Sequence, residues 1–395
     1  MAIEALYLHI PFCHAKCAYC DFDSRGLCGE ALERASARYL DALCRRIEAV
    51  GRVGALVAVR TVYVGGGTPT VLGARLAELA ARIRRWCAPE EFTCEANPES
   101  FTPDLAAALR TAGVTRVSLG VQSLNDAELG ALGRLHSAQE AIDAVAIARE
   151  RGFSVSCDLM CGLPGQTAQS WDDTLHRLVA AAPDHVSVYP LTVEEGTPLA
   201  ERVRREPSLE PDEDFQADCM ERARIELERA GFAPYEVASY ARPGHACRHN
   251  IAYWSGASYL GIGRSAASMV KASELDGLRG LFPGVVAAPN VERVRIVQRD
   301  DEGGAFDFEG LNEGEAVAED LMLGMRMTSG VPASLLKRAY RLFGEDARQA
   351  VVKALDEGLA RLDTETSALV PTDRGWLMGN ELYGLMWGLA DVRAS

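Results

Sequence analysis

Three cysteines lie close together near the start of the chain, in Cys13-His-Ala-Lys-Cys17-Ala-Tyr-Cys20, directly after an apolar strand-like run. Thiolates are ligands of zinc and of iron–sulfur centres. A structural zinc site needs four ligands, and no second pair of Cys or His follows at a suitable spacing, although His9 or His14 could complete one. Three thiolates leave one iron of a four-iron cluster free to bind a small molecule. The spacing therefore favours a [4Fe-4S] cluster on Cys13, Cys17 and Cys20.

A second group of residues suited to ligand binding follows later strand-like runs. Glycines in Val64-Gly-Gly-Gly-Thr-Pro-Thr70 would let the backbone approach a ligand closely and offer N–H groups at a turn. Polar side chains stand near the ends of the next predicted strands: Glu95, Gln122, Arg134 and Asp158. In a parallel barrel the ligands gather at the carboxyl ends of the strands, so we expect these residues to converge on one pocket.

The elements that must position these residues alternate between short β-branched runs and longer amphipathic patterns, which is typical of βα units. Six or seven such units predict an α/β fold, a partial (β/α)6-type to (β/α)8-like barrel. The strands we predict are Ala5–Ile10, Thr61–Val64, Glu91–Glu95, Arg116–Val121, Val155–Met160, His185–Leu191 and a weaker one near Tyr235–Ser239. The intervening helices are Ala31–Val50, Leu76–Trp86, Pro103–Ala112, Ala138–Arg151 and Ser170–Ala181.

The chain divides into three parts by pattern. Residues 1–242 form the barrel, residues 243–310 form a Gly- and Pro-rich connecting region, and residues 311–395 form a C-terminal domain. In this last part three helices are predicted, followed by a short hairpin: Glu313–Met327, Pro332–Phe343, Asp346–Glu357 and Leu362–Val370. Helices closed by a small hairpin predict a mainly helical, winged-helix-like unit.

Composition excludes several classes of protein. The formal charge of −15 would repel a phosphate backbone, so nucleic acid is not an expected partner. No run approaches the roughly 18 apolar residues that a membrane-spanning helix needs. The first residues contain Glu4 and no basic segment, so we expect no signal peptide and a cytoplasmic location.

Cys13-xxx-Cys17-xx-Cys20, together with Val64-Gly-Gly-Gly-Thr-Pro-Thr70, resembles the radical S-adenosylmethionine (SAM) superfamily. The resemblance implies that SAM binds the open iron and that an electron from an external donor cleaves it to a 5′-deoxyadenosyl radical. It further implies that Glu95 pairs with the SAM ammonium group and that Asp158 accepts hydrogen bonds from the ribose. The full set of SAM-binding residues expected on this basis is Tyr7, Tyr19, Gly66, Gly67, Thr68, Glu95, Gln122, Arg134 and Asp158.

The chain also resembles the group that includes oxygen-independent coproporphyrinogen III oxidase, through Tyr7 and the stretch Val186-Ser-Val-Tyr-Pro-Leu-Thr-Val-Glu-Glu-Gly-Thr197. The oxidase branch carries a further cysteine two residues after the third ligand, where this chain has Phe22. The other branch, the HemW heme chaperones, carries an HNxxYW motif. This chain has that motif as His249-Asn250-Ile-Ala-Tyr253-Trp254.

The second resemblance implies a heme-trafficking function. Heme would bind through His249 near the barrel mouth, with Asn250, Tyr253 and Trp254 around it, because imidazole is a common axial ligand and aromatic rings stack on a macrocycle. The expected partner is an apo-hemoprotein, most readily a membrane respiratory enzyme, which implies peripheral contact with a membrane surface. Two enzymatic alternatives stay open: coproporphyrinogen III decarboxylation, and a radical reaction on another tetrapyrrole.

Overall fold

The computed structural model describes residues 3–391, and a 12-stranded sheet forms its centre. In chain order the strands are β1 Ala5–Ile10, β2 Phe12–Cys13, β3 Arg25–Gly26, β4 Thr61–Gly66, β5 Glu91–Ala96, β6 Arg116–Gln122, β7 Ser154–Cys161, β8 His185–Pro190, β9 Ala233–Pro234, β10 Ser239–Ala241, β11 Tyr259–Ile262, β12 Ala267–Lys271, β13 Val291–Gln298, β14 Phe306–Asn312, β15 Ala360–Leu362 and β16 Leu369–Pro371. Two short pairs, β2 with β3 and β15 with β16, stand outside the main sheet.

The middle of the sheet is parallel, in the order β11-β1-β4-β5-β6-β7-β8. Antiparallel strands extend it at both sides, and among residues 3–391 the outermost strands, β14 and β9, do not pair with each other. The barrel is therefore partial, which confirms the predicted fold class. Strand β1 begins and ends where the sequence predicts it.

Helices follow the parallel strands and cover the outside of the sheet. In the barrel they are α1 Gly29–Arg52, α2 Ala74–Ile83, α3 Pro103–Thr111, α4 Asp126–Leu132, α5 Ala138–Glu150, α6 Ala168–Ala181, α7 Pro198–Arg205, α8 Glu213–Arg229, α9 Arg248–Trp254 and α10 Ala272–Leu275. Most of their buried apolar residues join those of the strands in one large core, while Leu132 of α4 and Leu199 and Val203 of α7 pack in a smaller cluster. Because the large core holds each strand in register, the strand ends are fixed relative to one another.

The weak strand predicted near Tyr235–Ser239 is wrong. The Tyr235 backbone N–H donates to the Ser239 carbonyl over 3.2 Å, so these residues form a turn. Strand β10 begins only at Ser239 and runs antiparallel to β8. Pro234, which has no N–H to donate, ends the preceding short strand at the edge of the sheet.

Residues 243–310, predicted as a connecting region, supply further strands to the main sheet. Strand β11 pairs in parallel with β1, and β12, β13 and β14 follow as an antiparallel meander. The alternation in Val291-Glu-Arg-Val-Arg-Ile-Val-Gln298 explains β13, since Val294 and Ile296 are buried there.

The C-terminal part has a core of its own, which begins at Val317. Its helices are α11 Glu313–Gly324, α12 Ala333–Phe343, α13 Glu345–Asp356, α14 Asp373–Leu377 and α15 Gly379–Trp387. The predicted hairpin is present as the antiparallel pair β15–β16. Residues 392–395 of the predicted domain lie outside the described residues. Within residues 3–391, none of the helices combines the length and apolar character that crossing a bilayer requires.

Candidate functional site

A cavity of about 360 Å³ opens at the carboxyl ends of β4 to β8. Most of the sequence-predicted residues line it: Cys13, Cys17, Tyr19, Cys20, Gly66, Gly67, Thr68, Glu95, Gln122, Arg134, Asp158 and Asn250. Tyr7, His249, Tyr253 and Trp254 are not among the lining residues. The parallel strands therefore bring the cysteine motif, the glycine run and the four polar strand-end residues to one place, as the barrel topology requires.

The cysteine loop folds over one wall of this cavity. Cys13 is buried, Cys17 and Cys20 are half-buried, and none of the three forms a disulfide. Burial raises the pKa of the Cys13 and Cys20 thiols, so an electropositive centre is needed to hold them as thiolates. The Thr68 hydroxyl lies 3.5 Å from the Cys13 Sγ atom and donates to it.

Gly66 and Gly67 allow the loop after β4 to pass against the cysteine loop. Gly66 has φ +117, a backbone angle that residues other than glycine rarely adopt. A Cβ on Gly67 would lie 2.5 Å from the Phe12 carbonyl oxygen and 3.0 Å from the Cys13 Sγ atom. Glycine is therefore required here by close approach of two backbone segments.

Glu95 presents a half-buried carboxylate at the end of β5. The Tyr63 hydroxyl donates to its Oε1 over 2.8 Å, and the Gly66 N–H donates to its Oε2 over 3.0 Å. Burial raises the pKa of Glu95 to about 7, against the lowering effect of these hydrogen bonds. A carboxylate held in this way suits a cationic ligand group, because an ammonium bound to it would offset the cost of burying its charge.

Gln122 and Asp158 face the cavity from β6 and β7. The register between these strands shifts between Gly120 and Gln122, and Gln122 has φ 64. Such a strained residue beside a bulge re-aims its side chain, a feature common at functional sites. The Ser118 hydroxyl donates to Asp158 Oδ2 over 3.2 Å, and burial raises the pKa of Asp158.

Sequence reasoning missed several lining residues, namely Tyr63, Asn97, Arg116, Ser187 and Tyr189. Ser187 and Tyr189 stand two residues apart in β8, so strand alternation places both side chains on the same face of the sheet. Arg116 is only 3% exposed. Its positive charge lowers the pKa of both Asp158 and Glu95, against the raising effect of burial. Charged and hydrogen-bonding side chains therefore stand among the apolar residues of the inner surface.

Tyr7 lies behind the cavity. Its hydroxyl pairs with His9 Nδ1 over 3.0 Å, and its ring stacks on Tyr63 with centroids 6.2 Å apart. The structure thus separates Tyr7 from the other residues expected to bind SAM. Its contact with the ligand pocket runs through Tyr63.

The HNxxYW motif forms helix α9, and His249 and Tyr253 share a face with ring centroids 4.8 Å apart. His249 is 2% exposed, and burial lowers its pKa to about 3, so the imidazole is neutral. Its Nδ1 pairs with Thr61 Oγ1 over 2.9 Å. Within residues 3–391 its Nε2 has no hydrogen-bond partner.

The expected position of His249 near the barrel mouth is wrong. Thr61 and Glu91 are the first residues of β4 and β5, and His249 packs at this amino end. The Glu91 carboxylate accepts hydrogen bonds from the backbone N–H groups of Arg248 and His249, each over 3.0 Å. A buried carboxylate at a helix N-terminus is favourable, and it draws α9 into the sheet at this end.

The other residues of the motif point in different directions. Asn250 reaches the cavity and donates to the Tyr235 hydroxyl over 3.3 Å. Tyr253 packs on Tyr259 with centroids 4.2 Å apart. Trp254 lies under the guanidinium of Arg326, 5.1 Å from its ring centroid, and so links α9 to the C-terminal part.

Comparison with known proteins agrees with this geometry. The profile of the radical SAM superfamily matches residues 7–178. Coproporphyrinogen III oxidase HemN from Escherichia coli, described as a radical SAM enzyme, has a solved structure that superposes with a TM-score of 0.77. The superposition covers 98% of this chain and 90% of that one at 24% identity, which shows the fold alone. Fold, cysteine loop and profile together define a radical SAM protein.

Closer relatives narrow the family. The heme chaperone HemW of Mycobacterium tuberculosis is 37% identical over 97% of this chain and 94% of its own length. The heme chaperone HemW of Bacillus subtilis is 31% identical over 98% of this chain and 100% of its own length. The chain belongs to the heme chaperone HemW family.

Membership of the radical SAM superfamily implies a [4Fe-4S] cluster and SAM, and the residues present fit both. Three unpaired thiols, the narrow passage at Gly67 and the half-buried Glu95 carboxylate surround one cavity. Within residues 3–391 no group of three or more His, Cys, Asp or Glu gathers around a single metal-ion position. A cubane does not require such a group, since each thiolate binds a separate iron.

Proposed function

We propose that this chain is a cytoplasmic heme chaperone, which binds heme and delivers it to apo-hemoproteins. The observation that carries the proposal is His249, a neutral imidazole whose Nε2 has no hydrogen-bond partner within residues 3–391, in a motif that marks the heme chaperone branch. The relatives that cover nearly the whole chain are named heme chaperones. Neutral imidazole is the form that ligates heme iron.

The proposed cofactor sites follow the cavity. Cys13, Cys17 and Cys20 would hold the cluster, which when bound supplies one-electron chemistry and an iron open to SAM. Gly66, Gly67 and Thr68 would carry the methionyl end of SAM, and Glu95 its ammonium group. The remaining lining residues assigned to SAM are Tyr19, Gln122, Arg134 and Asp158.

Heme ligation requires α9 to move. His249 is 2% exposed and lies between the rings of Tyr63 and Tyr253, so no macrocycle reaches its Nε2 while the helix is seated. Helix α9 has only seven residues and is flanked by Gly244 and Gly256, both with positive φ. We propose that heme binds to an unseated α9, with Asn250, Tyr253 and Trp254 beside it.

The acceptors we propose are respiratory hemoproteins of the membrane, reached by peripheral contact, and an external reductant supplies electrons to the cluster. The alternative is oxygen-independent coproporphyrinogen III oxidation. Phe22, which lines the cavity where the oxidase branch has a cysteine, favours the chaperone.

The test uses the full chain with its cluster reconstituted without oxygen. Hemin-loaded protein is mixed with apomyoglobin as a probe acceptor, and the Soret band follows heme transfer. A parallel sample receives coproporphyrinogen III, SAM and dithionite. Stoichiometric heme binding and transfer without protoporphyrinogen IX would support the proposal; turnover of coproporphyrinogen III by protein that binds no heme would overturn it.

A further inference from the structure

Tyr63 stands between the two ligand sites. On one side its hydroxyl donates to Glu95 Oε1 over 2.8 Å. On the other side its ring stacks on His249, with centroids 5.1 Å apart and planes inclined by 29°. A single side chain therefore touches both the carboxylate of the cavity and the histidine of α9.

The ring of Tyr63 is held on two sides only while α9 is seated. Tyr7 stacks on it at 6.2 Å, also at 29°, and His249 at 5.1 Å. If His249 leaves, Tyr63 loses its nearer stacking partner, and its hydroxyl is no longer fixed on Glu95. Stacked aromatic pairs stabilise each other by more than their buried area accounts for. Loss of the His249 ring therefore leaves the Tyr63 ring freer to move.

We propose that Tyr63 is a positioning residue that couples SAM binding to the seating of α9. SAM binds best when Tyr63 holds Glu95 toward the cavity, which requires His249 to be seated. Heme, as proposed above, binds His249 only when α9 is unseated. Since coupling between two binding sites is reciprocal, SAM lowers the affinity for heme by the same factor by which heme lowers the affinity for SAM.

This coupling rests on the proposed function and gives SAM a second role, in releasing heme. The seated helix is fastened by Glu91 at its N-terminus and by Thr61 at His249 Nδ1. When SAM binds, α9 makes these contacts with Glu91 and Thr61 again, and the His249 imidazole leaves the heme iron. The coupling factor we expect is about fivefold or more, the lower range found for linked sites.

The experiment uses full-length protein with its cluster reconstituted without oxygen. It compares four states: the protein without ligand, with SAM, with heme, and with both. SAM affinity is read by calorimetry on the protein with its cluster oxidised, with and without hemin. Heme affinity is read from the Soret band, with and without SAM. In Tyr63→Phe we expect SAM affinity to fall several-fold and the coupling factor to approach one. Tyr240→Phe, a buried tyrosine of β10 outside the site, is the matched control and keeps both values.

A second pair of variants, both at His249, needs no heme for its main readout. His249→Phe keeps an aromatic face on Tyr63, whereas His249→Ala removes it. We expect SAM affinity to survive in the first and to fall in the second, in protein that contains no heme. Equal SAM affinities in the two variants, or a full coupling factor in Tyr63→Phe, would overturn the coupling.

The outcomes separate the coupling from the proposed function. If His249→Ala binds heme as tightly as the unmodified chain, the proposed heme ligand is wrong. If His249→Ala loses heme but SAM leaves the heme affinity of the unmodified chain unchanged, the ligand stands and the coupling is wrong. Thermal unfolding of each variant shows whether a lost signal reflects misfolding.

Discussion

The Arg134 guanidinium donates a hydrogen bond from Nη1 to the Sγ atom of Cys17 over 3.4 Å. The same side chain donates from Nη2 to the Asn97 side-chain oxygen over 2.8 Å and to the Gly120 carbonyl over 2.7 Å. These bonds fasten the middle cysteine of the loop to the ends of two strands. They also put a half-buried positive charge beside a proposed cluster ligand.

Replacing this charge is expected to change the cluster's potential rather than its assembly. Arg134→Gln retains all three cysteines, so iron content should stay the same. A nearby cation and a hydrogen bond to sulfur both favour the more negative, reduced cluster, so the reduction potential should fall. An EPR-monitored redox titration measures it, with exposed Arg84→Gln as the control. An unchanged potential in Arg134→Gln would contradict the proposed position of the cluster.

The cluster itself depends on Cys13, Cys17 and Cys20. Changing any one of them to serine should reduce bound iron from about four atoms per chain to less than about one, because thiolates hold these clusters and hydroxyls do not. Iron and labile sulfide analysis gives the answer. Cys28→Ser tests an exposed cysteine of the same region and should leave iron content unchanged. Equal iron in all four variants would exclude the three-cysteine site.

Gly67→Ala tests the close packing of the two loops. The added Cβ would overlap the Phe12 carbonyl, and overpacking of this kind costs about 1–3 kcal/mol of unfolding free energy. Since the same Cβ approaches Cys13 Sγ, iron content should fall as well. Gly130→Ala, in α4 with no heavy atom within 4 Å, is the matched control and should be neutral or slightly stabilising. A Gly67→Ala protein with the parent's stability and iron content would show that this passage is wider than described.

Glu95 should make SAM binding depend on pH. Its pKa of about 7 means that protonation on the acid side removes the charge that pairs with the ammonium of SAM. From about pH 8 to about pH 6 the ionised fraction falls about tenfold, so the Kd for SAM should rise by a similar factor. Calorimetry on the oxidised cluster protein measures this. Glu95→Gln should bind weakly with a Kd that varies much less over that range; a Glu95→Gln protein with the parent's pH profile would assign the dependence to another group.

Local sequence patterns were enough to predict six of the seven parallel strands that the described residues contribute to the main sheet, all except β11. Ala5–Ile10 is observed with the predicted bounds, and Thr61–Val64 is extended only by two glycines. Both are buried runs rich in apolar and β-branched residues, bounded by residues that interrupt a strand. Since parallel strands bring their carboxyl ends together, convergence of Glu95 and Asp158 on one cavity followed from topology alone.

The sequence could not predict where α9 packs. The contact between Thr61 and His249 joins residues 188 positions apart, and no periodicity encodes such a pairing. Tyrosine is common in strands, so Tyr63 within a predicted strand indicated nothing beyond secondary structure. Its hydrogen bond to Glu95 depends on the pairing of β4 with β5, which only the structure shows. The Val/Arg alternation of β13 was present in the sequence, but the surrounding glycines and prolines favoured a connecting region.

The coordination of heme by His249 is tested most directly by optical and resonance Raman spectra of the hemin-loaded protein. The unmodified chain should bind heme with an iron–histidine signature. His249→Ala should lose that signature and bind heme at least about tenfold more weakly, while His176→Ala, an exposed histidine of α6, should match the unmodified chain. An identical spectrum and affinity in His249→Ala would contradict the assignment of α9 as the heme-binding element.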